Sequence, residues 1–152
     1  MSSNTVVIRV GRLMEISVKD GFRSVEDVEA QRARITTALD ALPKDQLIVI
    51  AADWRACQVM SQPAANALGP MLGAFNARIE RSAILGATNS PVAVLQFLRV
   101  VRESRHPARR VYEDRRPMIA WLGERLTEPE RERLAQFLLT NAPLAHPAST
   151  SA

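Results

Sequence analysis

The chain contains one cysteine, two histidines, one tyrosine and only two lysines in 152 residues, and each scarcity removes a class of function. A lone Cys57 forms no intrachain disulfide, and two histidines beside it do not complete a zinc site, so a reducing compartment and no metal are expected. Both histidines, His106 and His146, precede prolines in turn-like and tail-like sequence, whereas a general base needs a packed scaffold to hold its imidazole. No apolar run reaches the ~18 residues of a membrane span. The start MSSNTVVIRVGRLMEI lacks the basic flank and apolar stretch of a secretory signal, so a cytoplasmic location is expected. Gly69, Gly73 and Gly86 match neither a P-loop nor a dinucleotide fingerprint. With no acid/base or nucleophile constellation either, the chain is expected to use no cofactor and to be non-enzymatic.

What is present fits one domain. Apolar residues make up 47% and charged residues 24% of the chain, enough to bury a single core and too ordinary for wholesale disorder or a coiled-coil rod. The formal charge is +4, and nearly all the cations are arginines. The excess has an address. Window 99–116 holds seven arginines against Glu103, Glu113 and Asp114, so it carries the whole net charge and the remainder of the chain is neutral.

Hydrophobic periodicity sets out the elements. Residues 5–10 and 13–18 alternate with the two-residue period of strands around a tight Gly11-Arg12 turn, which predicts an opening β-hairpin. Ser24-Val25-Glu26-Asp27 starts a helix that Pro43 ends. The continuous apolar run at 47–52 (LIVIAA) is how a strand buried on both faces reads. A helix is expected over 63–79, with Gly69-Pro70 as a kink, then a strand at 82–86. Next come a helix near 92–104 with Val94, Phe97, Leu98 and Val101 inward, a strand at 109–112 and a helix at 117–126. Thr127-Glu128-Pro129-Glu130 is a capping box opening a last helix, with Leu134, Phe137 and Leu138 on its buried side. The fold class is α/β: one domain over 5–139 with a mixed sheet, right-handed βαβ crossovers and the order ββαβαβαβα plus a C-terminal helix. Residues 140–152 read as a disordered tail.

This order of elements resembles the STAS domain and its relatives, the anti-anti-sigma-factor-like and lipid-transfer-like small α/β domains of bacteria. The resemblance covers about residues 6–138. It rests on the element order, the buried strand Gln46–Asp53 ending in an acid, the strand at 81–85, and the late Tyr112 and Ala120-Trp121-Leu122 pattern. It implies a regulatory module that docks a protein partner in bacterial signalling, and through its lipid-transfer-like side it implies instead a carrier or sensor of a small amphipathic ligand or lipid. Anti-anti-sigma factors place a phosphorylatable serine directly after the strand-ending Asp. Here Trp54-Arg55-Ala56-Cys57 follows Asp53, and the nearest serine to the helix start is Ser61, a candidate phosphorylation site better suited to an N-cap, with its hydroxyl used on a backbone amide.

Three surfaces compete for function. The loop at 53–61 lies at the C-terminal end of the central strand, where α/β sheets place ligands, and Asp53, Trp54 and Arg55 in it are candidate partner contacts, Trp and Arg being frequent hot-spot residues. The alternative has Trp54 packed on the sheet and Asp53 paired locally; Cys57 reads as a small buried thiol. Arg99, Arg102, Arg105, Arg109 and Arg110 form the second candidate, able to grip carboxylate or phosphate on a protein, or an anionic lipid headgroup. Internal pairing and the helix dipole are the competing explanation. Nucleic acid is not expected, because only Tyr112 interleaves the basic window with an aromatic. The last helix is the third candidate: its apolar side either docks on its own core or forms a homodimer seam.

Overall fold

A computed structural model describes residues 3–140 of the chain. Strand β1 (Thr5–Ile8) turns at Gly11 into β2 (Leu13–Ser17), with Val6 opposite Ile16 and Ile8 opposite Met14 in antiparallel register. Gly11 has φ +56°, a left-handed conformation that glycine adopts without the clash a Cβ would bring. From β2 onward every neighbour is parallel: β2, β3 (Ile48–Asp53), β4 (Ile79–Leu85) and β5 (Arg109–Tyr112), in the spatial order β1-β2-β3-β4-β5.

That sequential order decides where the helices go. A right-handed crossover that always steps to the next strand in the same direction puts every crossover helix on one face. Helices α1 (Val25–Asp40), α2 (Gln62–Gly73) and α3 (Pro91–Ser104) do pack there, over Met14, Ile16, Ile48, Ile50, Ala52 and Ile84. The opposite face presents Leu13, Val49, Ala51, Ala83 and Leu85, and would be wet if the chain stopped at β5. Helices α4 (Arg115–Gly123) and α5 (Glu128–Thr140) cover it with Met118, Leu122, Leu134, Phe137 and Leu138. The run Ile48–Ala52 is thus apolar throughout because both faces of β3 are buried. Of the two readings of α5, the structure shows docking on its own core: Leu134, Phe137 and Leu138 are buried against the chain's own sheet.

Local chemistry fixes the helix starts. Ser24 accepts the N–H of Asp27 and Ser61 that of Ala64. Across the Thr127 box, Glu130 Oε1 accepts the Thr127 N–H at 2.8 Å while Thr127 Oγ1 accepts from Glu130 at 3.4 Å. One boundary departs from expectation. The helix over 63–79 ends at Gly73, followed by a 3-10 turn at Asn76–Arg78, and Ile79 already belongs to β4. An interior proline, Pro70, removes one backbone donor near the end of α2. The helix expected at 117–126 lies instead at Arg115–Gly123, because Asp114 caps it by accepting the Arg116 N–H. Thr140, read as the first tail residue, is instead the last residue of α5; the rest of the tail reading and His146 concern residues outside those described.

Candidate functional site

The loop after β3 is built inward. Asp53 is buried, and its two carboxylate oxygens take Arg55 Nε at 2.9 Å and Arg55 Nη2 at 2.8 Å, a two-pronged ion pair. Arg55 Nη2 also donates to the Leu138 carbonyl at 2.8 Å, so this pair ties the loop to the end of α5. Trp54 donates its backbone N–H to Leu85 O and wedges its indole edge-on between Phe22 and Phe97, with ring centroids 5.5 and 5.0 Å away. At 3% exposure it is core. Asp53, Trp54 and Arg55 are therefore corrected from partner contacts to structural residues; the loop residues that do face solvent are Ala56, Gln58 and Val59. Cys57 is buried as expected, and burial pushes its thiol up to about 12 against a backbone N–H from Phe22 that pulls it down.

Gln96 on α3 clamps the end of this loop, accepting the Met60 N–H at 2.8 Å and donating to Met60 O at 3.1 Å. Ser61, which follows, uses its hydroxyl as the α2 cap. His106 is structural as well: Nδ1 accepts the Ala108 N–H at 2.9 Å, which leaves Nε2 to donate to Ile79 O at 2.8 Å.

The structure splits the arginine window into separate sets. Arg109 and Arg110 are adjacent in a strand, so their side chains leave on opposite faces. Arg109 points under the helices and is buried, donating to Asn76 Oδ1 and Leu72 O; Arg110 lies over Trp121 at 4.2 Å, with Arg81 at 4.8 Å from the same ring. Arg109 is corrected from surface residue to core residue. Arg115 and Arg116 begin α4, where Arg116 pairs with Asp114. Only Arg99, Arg102 and Arg105 share a surface. Arg99 is held by Glu103 at 2.9 Å and Asn66 at 2.6 Å, whereas Arg102 and Arg105 are exposed at the end of α3. Arg105 is the helix C-cap at φ +59°, the one described non-glycine residue with positive φ.

The same helix exposes apolar residues that were not singled out. Val92, Leu95 and Leu98 face outward, Leu95 at 66% exposure, and Leu98 is thereby corrected from the inward stripe. Positions 91, 95, 98 and 102 are neighbours on one helical face, so this stripe runs directly into Arg102. A signal was available in PVAVLQFLRVVRES: it holds more apolar residues than one buried stripe can use, and a helix apolar on both sides needs a second cover.

Among the described residues, no three His, Cys, Asp or Glu side chains converge as metal ligands, and no helix is long and apolar enough to cross a membrane. No family model and no curated protein matches the chain. The fold does match a solved structure, described as an uncharacterized protein from the DUF3478 family with a SpoIIAA-like fold, from Shewanella loihica PV-4. It is 22% identical, with a TM-score of 0.54 over 80% of this chain and 98% of that one. The chain has the SpoIIAA-like fold, which is the STAS or anti-anti-sigma-like α/β architecture.

Proposed function

We propose that this chain is a non-enzymatic regulatory binding module that docks an acidic protein partner on the outer face of α3. One observation carries the reading: an exposed apolar stripe, Val92, Leu95 and Leu98, that continues into the exposed guanidinium groups of Arg102 and Arg105. An apolar centre with a cationic end suits a partner surface, such as an amphipathic helix, whose apolar residues give way to carboxylates. The backbone at Arg105 supports this. A non-glycine residue in the left-handed region costs about 1–2 kcal/mol relative to glycine, and the chain carries that strain with a charged side chain on the surface.

Photo-crosslinking in the native host tests the reading, with a benzoyl-phenylalanine at position 95 and a control at exposed Thr36 on α1. The expected result is one acidic protein crosslinked at 95 and absent at 36, and lost in Arg102→Glu/Arg105→Glu. Buried Arg109 is left unchanged so that the fold survives. Identical products at both positions, survival of the crosslink after charge reversal, or lipid as the product would each remove this surface from the account.

A further inference from the structure

The free edge of β5 lies beneath the open side of α3. Strand order makes β5 the last strand of the sheet, and α3, packed on β5 and on α2, is the last of the three helices on its face. Toward α2, this helix presents Gln96, Arg99 and Glu103: Gln96 holds Met60, Arg99 holds Asn66, and Glu103 packs against Gly69. Residues two positions further on lie about 200° round a helix. Leu98 and Val101 therefore face away from α2, over the outer edge of the sheet, and Arg105 caps the helix there. That edge is bare. Ala108 O and Tyr112 O accept from Ser82 and Gly86 on the β4 side, so strand alternation turns the N–H and C=O of Arg109 and Val111 outward.

Both faces of this edge offer cover to an added strand. On the helix side Val101 and Val111 are half-buried and Leu98 is exposed. On the other side Tyr112 and Trp121 are half-buried, and exposed Arg110 has its guanidinium over the indole and one N–H on the Tyr112 hydroxyl at 3.3 Å. An arginine stacked in this way holds its remaining donors in a fixed fork, which a carboxylate accepts bidentately. Charge selects the occupant. Arg99 and Arg116 are ion-paired with Glu103 and Asp114, whereas Arg102, Arg105 and Arg110 form no ion pair among the described residues. Glu124 lies within electrostatic reach of Arg110 but is held by Arg81 at 2.7 Å. Exposed Glu113 follows β5 at the end remote from Arg105. A second copy's β5 does not fit this edge, because two-fold pairing sets the arginines against their own copies. The opposite edge strand, β1, reads Thr-Val-Val-Ile and carries no charge that would name a partner.

We propose that the free edge of β5 receives an extended acidic segment of the protein partner as a sixth strand, with its apolar side chains under α3 and a carboxylate on Arg110. The inference rests on the α3 docking surface and adds the element that the partner contributes. The probe is the fluorescein-labelled hexapeptide Val-Glu-Val-Glu-Val-Glu. Expected are saturable binding by anisotropy and amide exchange at Val111 slowed about tenfold or more in the complex. The analogue with lysine in place of glutamate should bind at least about tenfold more weakly. Successive amides of a strand point to opposite edges. N-methylation of one residue type, valine or glutamate, should therefore abolish binding, and N-methylation of the other should leave it. Val111→Pro deletes an N–H that β4 does not use, and should weaken the peptide by a similar factor. Should that variant fail to fold, the exchange measurement on the native chain decides. Absence of saturable binding, unchanged exchange at Val111, or equal effects of the two methylations overturns the proposal. The α3 reading fails separately: a crosslink at position 95 that survives Val111→Pro removes the added strand and leaves that surface standing, whereas an absent crosslink in the otherwise native chain removes the surface itself.

Discussion

The Glu130 carboxylate fills the space that a side chain on Gly11 would need: Oε2 accepts the Arg12 N–H at 2.8 Å, directly against the hairpin turn. With Oε1 on the Thr127 N–H, this one side chain closes the α5 capping box and pins the hairpin to it across most of the sequence. Gly11 is thus required twice, for its positive φ and for the approach of the carboxylate.

Gly11→Ala should therefore destabilise by about 2 kcal/mol or more, since the left-handed backbone costs ~1–2 kcal/mol and displacing Glu130 frees a buried N–H. Gly21→Ala is the control. It has φ +75° but meets nothing closer than 3.8 Å, so it should lose only the backbone contribution. Urea midpoints compare the two; equal losses would show that the Glu130 contact adds nothing.

The same carboxylate gives a pH signature. Burial works to raise the Glu130 pKa, but the N–H groups of Arg12 and Thr127, the Thr127 hydroxyl and the Arg12 charge together hold it below the ordinary carboxylate value. A folded-state value below the unfolded one, about 4.3, means that the stabilisation is present above that pH and disappears as pH falls through the folded value. Stability should fall more steeply with acidification below pH ~5 in the native protein than in Glu130→Gln. Parallel profiles from pH 6 to 3 would remove Glu130 from the acid response.

How much of this was legible in the sequence depended on the range of the chemistry involved. The Ser24 and Ser61 caps, the Thr127–Glu130 box and strand Arg109–Tyr112 are specified within a few residues, and they form where periodicity and cap chemistry place them. The end of α2 was hidden because Phe75 and Ile79 continue a helical apolar spacing, although Ile79 is the first residue of a strand. Site residues suffered most. Trp54 is shielded by Phe22, in the connection before α1, and by Phe97 on α3, both distant in sequence, and adjacent Arg109 and Arg110 part to opposite faces by strand alternation, so a cluster in sequence was no cluster in space.

The Asp53–Arg55 pair should behave as a buried unit. Arg55→Met strands a buried carboxylate and should cost about 3–5 kcal/mol, releasing the end of α5 as well by loss of the Leu138 contact. Asp53→Asn/Arg55→Met should be less destabilised than Arg55→Met alone. A double-mutant cycle in urea gives the answer, and simple additivity of the single changes would contradict the pairing.

Arg105→Gly trades binding for stability. Glycine relieves the ~1–2 kcal/mol cost of the left-handed cap but loses about 0.5–1 kcal/mol to unfolded-state entropy, so stability should rise by about 1 kcal/mol, while a guanidinium is removed from the end of the α3 surface. Thermal unfolding should therefore improve as the crosslink at position 95 weakens. A variant that gains stability and keeps full crosslinking would show that Arg105 contributes nothing to docking.

Cys57 supplies the last test, and it bears on whether the chain does covalent chemistry. A thiol pushed up to about 12 by burial has almost no thiolate at neutral pH, and only the thiolate attacks electrophiles. Iodoacetamide at pH 7.5 should leave the native protein unmodified for about 10³ times longer than the urea-unfolded chain, because labelling then waits on opening of the core. The linkage has a definite sign. With the folded value above the unfolded one of about 8.5, unfolding releases a proton at higher pH, so stability falls as pH rises past that point, and Cys57→Ala should abolish this share of the loss. Rapid native alkylation at pH 7.5 would contradict the buried-thiol assignment and reopen a nucleophilic role for Cys57.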